Sequence, residues 1–273
     1  MTDAGWEEHA RAVGWTLAAE VPLPPRDLLR PRASPSRDVI LTSVDGTALR
    51  ARFARSSVVS GAGIVIAPDV RGLHPYYEGL AQRFADAGVH AIAFDYFGRT
   101  AGTGLRADDF PFRDHVPRTT PVTIQQDLRA ASVQLREETG TRRVFVVGFC
   151  FGGRVALNAA AEQDDLAGVI GLYGPPVPRD ASDTDAPILK VARMRVPVLG
   201  LFGGADQGIP QSAVEAFDAA LGKAHVARRL VTYPNAPHSF FDRRFAEHAS
   251  ICDDAWRRML AFVRTGDPGA TWN

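Results

Sequence analysis

The sequence predicts an α/β fold, with a mostly parallel central sheet, an N-terminal antiparallel hairpin and helices on both faces. Three observations carry this. Two alternating runs flank Asp45-Gly46, short apolar runs then alternate with helical periodicity, and a Gly148-Phe149-Cys150-Phe151-Gly152 turn stands where one apolar run passes into a helix.

Residues 1–36 read as an appendage. A short helical pattern at 6–13 gives way to Pro22, Pro24, Pro25, Pro31 and Pro35, which forbid a long regular element. Residues 37–273 read as a single domain. Runs 39–44 and 48–54 alternate about Asp45-Gly46, the pattern of a hairpin. Run 62–67 is a buried strand ending at Pro68, followed by a helix over 76–87 and a strand over 89–94. Residues 98–121, rich in Gly, Pro, Arg and Asp, show little periodicity and read as an irregular segment of the kind that forms a lid. A helix over 122–138 then leads to a strand over 144–147, the glycine-flanked turn, and a helix over 154–161. Strand 169–173, a Pro- and Asp-rich loop over 175–187, strand 198–202, helix 211–221, strand 227–232 and a final helix from about 245 to 263 complete the chain. Strands separated by helical crossovers lie parallel, because only a crossover returns the chain to the same end of the sheet.

Of the 273 residues, 45% are hydrophobic, enough for a sizeable core, and the formal net charge of +0 gives bulk electrostatics no hold on nucleic acid or an anionic membrane. The 2 cysteines, Cys150 and Cys252, argue against a disulfide framework and against a cysteine-rich metal site. Cys252 lies in a helical pattern and reads as a core or surface thiol. The N-terminus lacks a basic stretch followed by an apolar run, and no stretch approaches the length of a spanning helix. A cytoplasmic protein with its thiols kept reduced is therefore expected.

Cys150 occupies the nucleophile position of a strained strand-to-helix turn. Small residues two positions either side let the backbone fold sharply. The turn sets the thiol at a helix N-terminus, where aligned peptide dipoles and free N–H groups favour negative charge. The thiolate is the reactive form of cysteine. The same motif also suits a buried structural cysteine, which packs as a small apolar residue. The partners decide between the two.

A nucleophile in this architecture needs a base, and the base an orienting acid, in the chain order nucleophile, acid, histidine, on loops at the carboxyl ends of strands. Of the 7 histidines, His9 is in the appendage, His90 in a strand, His225 before a strand and His248 in the last helix, while His74 and His115 precede the cysteine. Only His238 follows the last strand on a loop. The acid search narrows to Asp206, where strand 198–202 exits through Gly203-Gly204. An aspartate in such a loop is often only a turn-former or helix cap. Three matches in the required order favour the catalytic reading.

On these residues the chain resembles the dienelactone hydrolase family of α/β hydrolases. The resemblance rests on Gly148-Phe149-Cys150-Phe151-Gly152-Gly153, on Asp206 in its Gly-x-Asp-x-x-x-Pro context and on His238-Ser239-Phe240, and extends over roughly 39–263. It implies a cofactor-free hydrolase of lactones or small esters, a monomer or weak homodimer. It also implies that Asp69 stands where the family has a glutamate that contacts the resting cysteine. Aspartate is one methylene shorter, and loop capping is the competing role. Family members use an arginine shortly after the histidine, and Arg243 is displaced from that place by one residue.

The expected reaction is acyl transfer through a thioester, with Cys150 attacking and His238, oriented by Asp206, moving protons. The tetrahedral oxyanion requires two N–H donors, expected from Phe151 and from Val70 in the loop after strand 62–67. Arg71 and Arg99, on carboxyl-end loops, are candidates for binding a substrate carboxylate, and Arg113 and Arg118 lie in the irregular segment. Each arginine also reads as a surface charge. Phe149, Phe240 and Phe241 suit either a pocket wall or the core. The competing readings are a broad carboxylesterase or thioesterase with the same triad, and a non-catalytic binding homologue. A peroxidatic cysteine would need a resolving partner, for which only Cys252 is available. The order of the candidate residues disfavours a cysteine peptidase.

Overall fold

The computed structural model describes residues 35–57, 61–107, 109–242 and 245–270. The appendage therefore lies almost wholly outside the described residues, as does Arg243. Eight strands form one sheet: β1 (Ser36–Thr42), β2 (Ala48–Ala54), β3 (Ala62–Ala67), β4 (His90–Phe94), β5 (Arg143–Phe149), β6 (Gly168–Leu172), β7 (Val198–Gly203) and β8 (Arg228–Tyr233). Their spatial order is β1-β2-β4-β3-β5-β6-β7-β8. The β1–β2 hairpin pairs antiparallel and β2 meets β4 antiparallel, whereas every pairing from β4 through β3 to β8 is parallel. The fold is the α/β-hydrolase fold, as expected.

Five longer helices cover the sheet: α1 (Pro75–Asp86), α2 (Pro121–Thr139), α3 (Phe151–Glu162), α4 (Gln211–Lys223) and α5 (Ala249–Thr265). Residue alternation along each strand divides the core in two. Ile64, Ile66, Phe145 and Val147 pack under α1 and α5, where Phe84 meets Trp256 with ring centroids 4.6 Å apart. Val65, Val144 and Val146 face the other way, against Leu128 of α2, Val155 of α3 and Phe217 of α4. Helix α2 is bounded by clear signals: Thr120 caps its start by accepting the Thr123 N–H, Pro121 follows, and Gly140 ends it in the left-handed conformation.

Three boundaries differ from the sequence reading. Helix α3 begins at Phe151, three residues early, so its first turn contains both glycines of the motif. The final helix begins at Ala249, with His248 at its N-cap and residues 245–248 in turns. The irregular segment contains short helical turns at Gly98–Ala101, Phe112–His115 and Val116–Arg118, and a 3₁₀ segment at Pro187–Arg193 follows the long loop after β6. Among the described residues no helix is long and apolar enough to cross a membrane.

Candidate active site

Strand β5 ends at Phe149, and Cys150 stands as the N-cap of α3 with φ 55° and ψ −111°. A non-glycine residue pays for that conformation, which persists only where the surroundings enforce it. The glycines are the enforcing element. A Cβ on Gly148 would lie 1.8 Å from the Gly152 carbonyl oxygen, and one on Gly152 would lie 2.1 Å from that of Ala67. Only bare backbone lets the turn close and α3 press against the end of β3.

The loops at the same sheet end supply the partners. His238 follows β8, and its Nε2 lies 3.0 Å from the half-buried Cys150 Sγ. Its Nδ1 lies 2.6 Å from Asp206 Oδ2, in the loop after β7. The other Asp206 oxygen accepts the Gly208 N–H at 2.8 Å, so the loop's own backbone holds the carboxylate. Burial would depress the His238 pKa, but the bond to Asp206 and the sulfur beside Nε2 outweigh it and raise the value to about 10. The structure thus brings Cys150, Asp206 and His238 together in one hydrogen-bonded chain.

Phe151 is the first residue of α3, so its N–H has no partner within the helix. Val70 follows the fully buried Asp69 in the loop after β3. That loop is firmly tied. Asp69 Oδ1 accepts the Arg71 N–H at 2.8 Å, and the Arg71 guanidinium donates back to Asp69 Oδ2 at 2.7 Å. His74 Nε2 lies 3.8 Å from Asp69 Oδ1. Burial would raise the Asp69 pKa, but His74 and Arg71 hold it well below the usual carboxylate range. Tyr96 donates to the Pro68 carbonyl at 2.6 Å, and its ring meets that of Phe151 edge-on at 5.3 Å.

The other candidates are distributed away from this relay. Arg99 donates to Asp127 Oδ2 at 2.5 Å, to Asp45 Oδ2 at 2.9 Å and to Ser43 at 3.1 Å, which fastens the β1–β2 turn to α2. With its guanidinium already matched by two carboxylates, Arg99 has little capacity left for a substrate. Arg113 lies over the Phe112 ring and Arg118 closes an exposed turn. Phe149, Phe240 and Phe241 are fully buried core residues, with Phe149 and Phe241 stacked at 5.8 Å. Cys252 is buried, donating to the Phe240 carbonyl. Among the described residues no group of three or more His, Cys, Asp or Glu is arranged to hold a metal.

Tyr173, which the sequence reading missed, ends β6 at φ 38°. Its ring lies against the His238 imidazole at 5.2 Å and against Phe240 at 5.3 Å. Its buried hydroxyl has no hydrogen-bond partner among the described residues. Burial pushes its pKa well above the ordinary value. No local signal marks a strand-end tyrosine as the side wall of a histidine that lies 65 residues further on; only the fold brings them together.

The sequence profile of the dienelactone hydrolase family matches residues 49–266. The chain belongs to this family. It is a carboxylic ester hydrolase by that membership. A Salmonella typhimurium protein named "Putative carboxymethylenebutenolidase" is 30% identical over 253 residues, covering 90% of this chain and 93% of its own length. Among solved structures, a "Putative Dienelactone Hydrolase" from Klebsiella pneumoniae shares 28% identity with a TM-score of 0.77, covering 86% of this chain and 100% of that one. A dienelactone hydrolase-like promiscuous phosphotriesterase from metagenomic libraries shares the fold, at 23% identity and a TM-score of 0.67, with 84% and 96% of the two chains covered.

Proposed function

We propose that this hydrolase cleaves a lactone or small carboxylic ester, of the dienelactone type, through an acyl-cysteine intermediate. The observation that carries the reading is the relay Asp206–His238–Cys150, with links of 2.6 Å and 3.0 Å, on the strained N-cap of α3. The Cys150 thiol passes its proton to His238 Nε2 as the sulfur attacks the carbonyl carbon and the carbonyl electrons move to oxygen. The amides of Phe151 and Val70 receive that oxyanion. Collapse expels the alkoxide, which takes its proton from His238 and leaves a thioester. Acylation removes the sulfur's interaction with Nε2, one of the causes that raise the His238 pKa. The histidine is then free to accept a proton from the attacking water. A second collapse expels the thiolate and releases the acid.

Asp69, locked to Arg71, serves on this reading to shape the oxyanion loop, and Arg71 is the arginine kept as a candidate for a substrate carboxylate. The enzyme acts without cofactor, in the cytoplasm, as a monomer or weak homodimer. The test is Cys150→Ala assayed on p-nitrophenyl acetate and on a dienelactone. Activity should be lost on both, and full retention on either overturns the nucleophile assignment. A lactone panel with and without a free carboxylate separates a dienelactone-type enzyme from a broad carboxylesterase, which would show no preference.

A further inference from the structure

A cleft of about 350 Å³ runs along α3, starting one residue from the nucleophile. Residues Phe151, Val155 and Asn158 of α3 line it, at the spacing of one helix face, and Val116 and Ile124 complete an apolar floor. A groove of about 250 Å³ shares Pro121, Gln125, Asp185 and Lys190 with it, and so extends it. Val122, which lines that groove, stays 67% exposed. The charges along the walls are mostly spent on one another. Arg154 donates to Asp183 at 2.8 Å and Lys190 to Asp185 at 2.5 Å. Asn158 gives its amide N–H groups to Asp185, which leaves its buried Oδ1 with no partner among the described residues.

We infer that this cleft is a substrate subsite that takes an uncharged, apolar arm, aryl or medium-length alkyl, of the ester cleaved at Cys150. The inference rests on the acyl-cysteine reading above. The volume lies within the range of small-ligand sites. The floor rewards apolar surface, and the walls set three cations, Arg154, Arg179 and Lys190, against Asp180, Asp183 and Asp185, so they offer no net charge to a carboxylate. The arm belongs to either the acyl or the alcohol side of the ester, and the assay distinguishes them.

Two ester series are compared in the full-length enzyme: p-nitrophenyl acetate, butanoate and hexanoate, and the acetates of ethanol, butan-1-ol and hexan-1-ol, whose leaving groups differ in length but hardly in acidity. At full burial each methylene is worth about a fourfold gain in kcat/KM, so one series should rise at least about tenfold from its smallest to its largest member. Thr119→Trp, at the half-buried margin of the cleft, should reduce that rise to about twofold while leaving the smallest member of the rising series unchanged. Thr119→Phe repeats the test should the first variant fold poorly. A rise in the acyl series assigns the cleft to the acyl arm, and a rise in the alcohol series to the alcohol arm. The subsite is overturned by a flat wild-type profile in both series, or by a rise that both variants leave intact. Failure of the underlying reading looks different: Cys150→Ala would still hydrolyse p-nitrophenyl acetate.

Discussion

Replacing Asp206 probes the relay at its least substitutable point, and two replacements give different answers. The bond from Asp206 Oδ2 to His238 Nδ1 is 2.6 Å, and the carboxylate is only 6% exposed. Hydrogen bonds to charged groups are worth about 1.5–3 kcal/mol, so its removal in Asp206→Ala should lower kcat about 10- to 150-fold. Asp206→Asn keeps the shape and keeps an oxygen for the Gly208 N–H. Its amide, however, donates to Nδ1, which forces the imidazole proton onto Nε2, facing the Cys150 sulfur. The histidine then has no lone pair for the nucleophile or for water, and the loss should approach about 10⁴-fold, as in triads given the wrong tautomer. The assay is kcat on p-nitrophenyl acetate at neutral pH, with thermal unfolding to verify the fold. The near-isosteric Asn variant should be the weaker enzyme of the two. An Asn variant within about threefold of wild type would refute the role assigned to Asp206.

Other outcomes follow from the same geometry. Gly148→Ala places a methyl 1.8 Å from the Gly152 carbonyl oxygen, so the turn must open. A loss of about 3 kcal/mol, or roughly 6 °C or more in Tm, is expected, and an unchanged Tm would show that the turn relaxes freely. Tyr173→Phe removes a buried hydroxyl without a partner while keeping the ring against His238. It should raise Tm by about 2–4 °C with little change in kcat, and a fall in Tm would show that the hydroxyl is in fact bonded. The folded His238 pKa of about 10 lies above its ordinary value, so stabilisation by its pairing is full below about pH 6.5 and lost as pH rises through about 10. The Tm difference between wild type and His238→Gln should shrink over that interval. A difference that grows with pH contradicts the assignment.

Much of the fold was legible because each strand carries its own signal. The alternation about Asp45-Gly46 became the β1–β2 hairpin, and run 62–67 became β3 with the same bounds. The pairing of β2 with β4 was not legible, since strand order is set by crossover handedness and packing rather than by local pattern. The early start of α3 was hidden because Gly152 and Gly153 lower helix propensity. Tertiary contact overrides that propensity, and the first turn forms because bare backbone is what fits against β3. The start of α5 was misplaced because His248 supplies no side-chain cap to mark it.

The site divides along a similar line. That Cys150, Asp206 and His238 meet was readable, because chain order and strand-end position restrict the choice severely. Arg99 was a misleading candidate: it does follow a strand, but Asp45 and Asp127, distant in sequence, occupy its guanidinium. Tyr173 and Asn158 carried no signal, because their significance lies in what packs beside them.

The central claim is a covalent acyl group on Cys150. Acid quenching of the enzyme during turnover of p-nitrophenyl acetate, followed by peptide mass spectrometry, tests it directly. One acetyl group is expected on the peptide containing Cys150. Turnover that continues with Cys150 unmodified, or with the acetyl group on Cys252 instead, would contradict it.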